Sequence, residues 1–297
     1  MPSNRTDDEI TIRMRQVEYW LSWLSAGFAS GKWDSVFLGR GFDFQGIAPF
    51  TDDPDLIRLN WQASLITGEL SVNQFSEERD VHLYLLANLG PSMAFGSDIR
   101  KIDRLAILAA VLSLSAFRLK DRFRFVGYTD ELEYGFPEPH DKTYPLQLAK
   151  AIIEFDWRGK KRGGLVKAAG SLPNRRSLVI LISDFLGSSS GLERALRILA
   201  PKHEVIPLVL WDEREVALPG KGFGLYPLTD LETGELSSVF LTPKARRKFA
   251  ENSRLRREAL EQLFRRFGIQ PHFLIGGEKD ADVETLLKIL LLQHARV

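Results

Sequence analysis

Gly187-Ser188-Ser189-Ser190-Gly191 has the G-x-S-x-G spacing of a nucleophile elbow, in which a serine on a strained strand-to-helix turn attacks an acyl carbon. That chemistry needs the serine directly between strand and helix. Here Asp184, Phe185 and Leu186 follow the apolar run Ser177–Ser183, so Ser189 or Ser190 reads more simply as the N-cap of a helix beginning near Gly191. A serine hydrolase using Ser189, with His272 and later acids as partners, stays open as one expectation. Lys160-Lys161-Arg162-Gly163-Gly164 is a basic loop leading into a helix, where backbone N–H groups can hold an anion. It lacks the Gly-Lys-Ser/Thr of a nucleotide-binding loop. Gly220–Gly224 (GKGFG) is followed by no helical pattern and reads as a turn. The histidines (His82, His140, His203, His272, His294) are scattered, with no metal-ligand spacing.

Two apolar runs end on side-chain oxygens and amides. Val81–Ala87 runs into Asn88-Leu89-Gly90-Pro91-Ser92, followed by Met93 and a turn at Gly96, and Ser177–Ser183 runs into Asp184. This pattern resembles von Willebrand factor type A domains, which carry D-x-S-x-S after the first parallel strand. In such domains that Asp and both Ser, a Thr after a Gly pair and a second Asp hold a divalent cation. The resemblance places the site at Asn88, Gly90, Ser92, Leu165 and Asp184, and implies that it is degenerate. Only Ser92 and Asp184 keep their chemistry, Leu165 after Gly163-Gly164 has no side-chain oxygen, and the formal ligand charge falls from two to one. Magnesium is held by carboxylate charge and well-placed oxygens, so no cofactor is expected. The alternative is Mg²⁺ or Mn²⁺ held by Ser92 and Asp184, with waters or Asn88, and bound in turn by a partner's carboxylate. Open α/β sheets bind ligands outside the carboxyl ends of their strands. The partner-binding candidates are therefore Asn88, Pro91, Ser92, Met93, Gly163, Gly164, Leu165, Asp184 and Phe185.

Forty basic residues against thirty-nine acidic ones, net +1, provide no bulk field to recruit nucleic acid or an anionic membrane. Zero cysteines exclude disulfides and thiolate chemistry and fit a reducing compartment. The start, MPSNRTDDE, has no signal-peptide pattern, and the apolar run Leu105–Phe117, bracketed by Arg104 and Arg118, is too short to span a bilayer. A soluble, cytoplasmic protein is expected.

The 297 residues suffice for one large domain or two modest ones. Val17, Trp20, Leu21 and Leu24 mark an amphipathic helix over Asp8–Ser25, and residues 27–76 mix extended pieces with turns. Residues 1–78 thus read as a helix and β-rich region packed on a main domain, 79–297, with an insertion near 219–242. In the main domain, strands at Val81–Ala87, Arg122–Thr129, Leu132–Phe136, Ser177–Ser183, Glu204–Leu210 and His272–Ile275 alternate with helices. Those helices are expected at Lys101–Lys120, Pro145–Phe155, Gly164–Leu172, Gly191–Leu199, Pro243–Phe267 and Ala281–His294. Continuous apolar strands between helices specify an α/β fold, a doubly wound, mostly parallel sheet covered on both faces. The run Lys244–Arg266 carries nine basic residues, and Phe249, Leu255, Leu260 and Leu263 give it an apolar stripe.

Motifs ahead of the first long strand narrow the resemblance. Gly39-Arg40-Gly41-Phe42, Gly46-Ile47-Ala48-Pro49-Phe50, Asp52-Asp53, Arg58, Asn60-Trp61, Ser64, Gln74-Phe75 and Glu77-Glu78-Arg79-Asp80 occur in that order. They resemble the bacterial family catalogued as domain of unknown function 58, over residues 20–240. Asn60 stands where that family has Asp, and the Gly of its Gly-Asp-Asp step is missing. The resemblance implies a non-enzymatic interaction module that pairs with a MoxR-type AAA+ ATPase in assembly, activation or maturation of a client enzyme. One branch of the family resembles MxaS, an accessory of methanol dehydrogenase maturation.

Overall fold

The computed structural model describes residues 14, 44–49, 71–75, 82–119, 121–136, 141–161, 163–218, 220, 223–229, 236–276, 282–283 and 285–286. The motifs around Gly39, Asp52–Asp55, Arg58, Trp61 and Glu77–Asp80 lie outside them, as does most of the helix expected at 8–25. Met14 is helical and packs against the main core. Strands β1 (Phe44–Pro49) and β2 (Ser71–Phe75) pair antiparallel.

Strand β3 (His82–Asn88) leads through a 3₁₀ turn at Pro91–Ala94 into α1 (Lys101–Leu119), and β4 (Arg122–Tyr128) turns into β5 (Leu132–Phe136). Then come α2 (Tyr144–Ile153), α3 (Leu165–Gly170), β6 (Leu178–Ser183), α4 (Ser189–Leu199), β7 (Glu204–Trp211) and the short α5 (Glu213–Val216). An antiparallel hairpin, β8 (Gly224–Thr229) and β9 (Leu236–Leu241), precedes α6 (Pro243–Arg265) and β10 (His272–Ile275). The hairpin lies within the stretch 219–242 that is expected as an insertion. Of the helix expected at 281–294, residues 282–283 and 285–286 are described, and they are helical.

The central sheet has six strands in the order β10-β7-β6-β3-β4-β5. All neighbours are parallel except the edge pair β4–β5. Counted within the sheet this is 3-2-1-4-5-6, the doubly wound order, with its switch point between β3 and β6. The expected α/β architecture is the one observed. Alternation along each strand divides the core. Leu85, Ala87, Ile180, Ile182 and Leu208 face α1 and α2, whereas Leu86, Val179, Leu181 and Val209 face α3, α4 and α6. Residues 101–116 of α1 are buried almost all round, which explains its unbroken apolar run. Among the described residues no helix is long and apolar enough to cross a membrane.

Two local readings change. The α4 helix begins at Ser189, two residues earlier than expected, and its N-cap is Ser188, whose hydroxyl meets that of Ser190 at 2.6 Å. On α6 the buried face is Arg246, Ser253, Leu260, Leu263 and Phe264, and Leu255 is 48% exposed.

One buried cation locks the far edge. Arg104, in the first turn of α1, donates from Nε and Nη2 to both oxygens of Asp282 at 2.5 and 2.7 Å. It also donates to the carbonyls of Trp211 and Leu274, at the carboxyl ends of β7 and β10. Removing one member of such a pair leaves a buried charge unanswered. Arg104→Met is therefore expected to cost about 3–5 kcal/mol in urea unfolding, and Asp282→Leu in that background should recover part of the loss. Leu85→Ala, in the fully buried central strand, should cost about 2–5 kcal/mol without changing the strand order.

Candidate functional site

Strand β3 ends on Asn88, whose side chain closes its own turn. Oδ1 accepts the Gly90 N–H at 2.9 Å, and Nδ2 donates to Ser183 Oγ at 3.3 Å, bridging to the end of β6. A Cβ at Gly90 would lie 3.0 Å from that same oxygen, so glycine suits the tight return. Ser183 Oγ also accepts the N–H of Phe185. Phe185 has φ of +50°, the left-handed region that costs a bulky residue about 1 kcal/mol or more. The turn aims its ring edge-on at Phe264 of α6, centroids 5.4 Å apart.

Asp184 is 1% exposed. Its Oδ1 accepts the Leu186 N–H, its carbonyl accepts the Trp211 indole N–H at 2.8 Å, and its Oδ2 accepts Lys101 Nζ at 3.0 Å. Lys101 opens α1 and has no exposed side-chain surface. The same ammonium donates to Glu215 Oε1 of α5 at 2.6 Å and lies 5.9 Å from the centre of the Phe95 ring. Burial alone would raise the Asp184 carboxyl, but the Lys101 charge, the nearby Ser92 hydroxyl and the Leu186 N–H bring it below its ordinary value. Burial raises the Glu215 carboxyl, with Lys101 only partly offsetting it. Ser92 Oγ, close enough to influence Asp184, is buried without a hydrogen-bond partner of good geometry. Further along the edge, Ser97 N and Oγ both donate to Asp212, which follows β7 and caps α5.

These residues do not fit a divalent cation. An ion ligated by Asp184 Oδ2 at about 2.1 Å would sit within about 5 Å of the Lys101 ammonium in any direction. The Asn88 amide is committed to Gly90 and Ser183, and Leu165 supplies no oxygen. Among the described residues no three His, Asp or Glu side chains converge as metal ligands. Asn88 is tied to Ser183 at the end of β6, Ser92 lies near Asp184, and the Asp184 carboxylate itself is paired with a lysine.

Beside this cluster lies a groove of about 480 Å³, between the β3, β4 and β6 ends and α6. Leu165, Phe185, Leu186, Ser188, Leu263 and Arg256 are among its walls, and its lining is mainly apolar. The nine partner-binding candidates divide here. Asn88, Gly163, Leu165, Asp184 and Phe185 line the groove, whereas Pro91, Ser92 and Met93 do not. Met93 is fully buried in the core facing α1, so its part is packing. Gly164 is buried against the β4–β5 turn, its N–H bonding the Thr129 carbonyl at 2.7 Å, and a Cβ there would come within 2.9 Å of two carbonyls of that turn. Ser189 lines the groove from the first turn of α4, and no histidine lines it. Sequence reasoning missed Lys101 and Glu215. The available signal was a pair of cations, Lys101 and Arg104, in the first turn of a helix whose body is apolar on every side.

A family model described as protein of unknown function DUF58 matches residues 51–259. An uncharacterized protein of Mycobacterium tuberculosis is 23% identical over 267 residues, covering 88% of this chain and 83% of its own length. An uncharacterized protein in the moxR 3' region of Paracoccus denitrificans is 37% identical over 103 residues, 35% of this chain and 96% of its own. Among solved structures, the conserved hypothetical protein BatB from Bacteroides thetaiotaomicron overlaps 73% of this chain and 100% of its own, at 15% identity and TM-score 0.44. A von Willebrand factor type A structure from Catenulispora acidiphila overlaps 72% of this chain and 42% of its own, at 13% identity and TM-score 0.36. With the family pattern matched over most of its length, this chain belongs to the DUF58 family.

Proposed function

We propose that this protein is a non-enzymatic docking module whose groove at the carboxyl edge of the sheet receives a MoxR-type AAA+ ATPase. Acting beside it in the cytosol, the module serves the assembly, activation or maturation of a client enzyme. The observation that carries the reading is the groove, preformed and mainly apolar, at the sheet edge where doubly wound folds take their ligands. The choice of partner draws on the relative encoded in a moxR 3' region. Arg256 on the α6 wall favours an apolar segment with an acidic flank, whereas Arg266 is paired with Glu193 across the groove. Catalysis through Ser189 would need a base within hydrogen-bond reach, and the hydroxyl pair nearest it, Ser188 and Ser190, contact one another.

The test is binding between the purified chain and the MoxR-type ATPase of the same genome, followed by calorimetry. Leu165→Glu and Leu186→Glu place a charge on the groove wall at half-buried positions, so folding should survive. Each is expected to weaken binding about tenfold or more. Glu154→Ala, on the exposed face of α2, should leave it unchanged. Equal affinity for all three variants would remove the groove from the interface. Gly164→Ala should also weaken binding, because the carbonyls of the β4–β5 turn force the start of α3, and Leu165 with it, to shift.

A further inference from the structure

We infer that the Lys101 ammonium is a tethered replacement for the divalent ion of the type A pattern, so that the docking edge is assembled constitutively and without metal. The inference concerns the cluster next to the groove and does not depend on what docks there.

Position argues for it first. A metal of the type A pattern would bridge the β3 loop and Asp184. Lys101 Nζ contacts Asp184 Oδ2 and Glu215 Oε1, and the Phe95 ring lies alongside. Its surroundings are side chains from the β3–α1 connection, the β6 end and α5, and none of its surface reaches solvent. Burial argues next. Taking an ammonium out of water is costly unless carboxylates answer it, and here two do. A lysine meant only to cap a surface would have snorkelled outward, as its flexible stem allows.

Two of the altered positions, 88 and 165, form the third argument, because the ammonium explains both. With one positive charge already shared between Asp184 and Glu215, a carboxylate at position 88 would add an unanswered negative charge. Asn88 instead offers a neutral amide that ties β3 to β6 through Ser183. A hydroxyl at position 165 would have no ion to ligate, and Leu165 faces the groove. Ser92 Oγ, beside Asp184 and without a good partner, is a buried oxygen of the β3 loop that the ammonium leaves unused.

The experiment uses the full chain with magnesium chloride and manganese chloride as probes. For the wild type, melting temperature is expected to be the same in either metal or in chelator, and calorimetry should show no saturable heat. Lys101→Met should lower the melting temperature by several degrees, with no rescue by either metal, since the new side chain fills the space. Lys101→Ala combined with Asn88→Asp opens room and restores the missing carboxylate. That variant should gain several degrees from manganese and give the electron paramagnetic resonance signal of bound Mn²⁺. Saturable metal binding by the wild type would overturn the inference, and so would a Lys101→Met protein that melts like the wild type. A folded double variant indifferent to manganese would also overturn it, leaving an ordinary ion pair. If the variants do not fold, saturable metal binding by the wild type, or acylation of Lys101, still overturns the inference. Acylation of native wild-type chain is an independent check: Lys101 should remain unmodified while exposed lysines such as Lys150 and Lys202 react.

Discussion

A positive charge at the start of a helix works against the helix dipole, and a positive charge inside a protein works against solvation. The first turn of α1 carries two such charges, Lys101 and Arg104, both buried. Their answering groups are Asp184, Glu215, Asp282 and the carbonyls ending β7 and β10. The carboxyl edge therefore cannot relax element by element. Displacing any one of these loops strands a charge in the interior.

On the proposed reading, this constraint bears on how the edge binds. A site that closes only on an ion responds to the ion's concentration. A site closed by side chains is ready whenever the chain is folded, and its affinity then rests on shape and apolar contact. The groove fits that description, with aliphatic walls, two arginines on the α6 side and a strained aromatic turn at Phe185. Asp184 illustrates the division of labour. Its carboxylate belongs to the buried ion cluster and its carbonyl holds Trp211, while the residues just after it form the wall that a partner would meet.

The strands were legible because parallel strands buried on both faces must be apolar without interruption, and Val81–Ala87 and Ser177–Ser183 are. The hairpin through Asp130-Glu131 was legible because turn residues separate two short runs. The central lysine was not. A cation preceding an apolar helix usually lies in solvent, and only the three-dimensional placement of Asp184, 83 positions later, and Glu215, 114 positions later, shows otherwise. Helix α5 is one turn long, too short for periodicity to register, although its Asp212–Glu215 capping box is visible once a helix is known to start there. Leu255 fitted a helical stripe but projects into water, because the buried α6 face runs through Ser253, Leu260, Leu263 and Phe264.

The spacing of the two buried cations has a consequence for how this chain can vary. Residues three apart on a helix are separated by about 300° of rotation, so Lys101 and Arg104 share a face and address adjacent strand ends. Inserting or deleting one residue between them would turn one cation about 100° away from its acids. Length changes upstream, in the Phe95–Arg100 connection, would leave that phase intact. Relatives that keep this cluster can differ in the loop before the helix but not in the number of residues between its two charges.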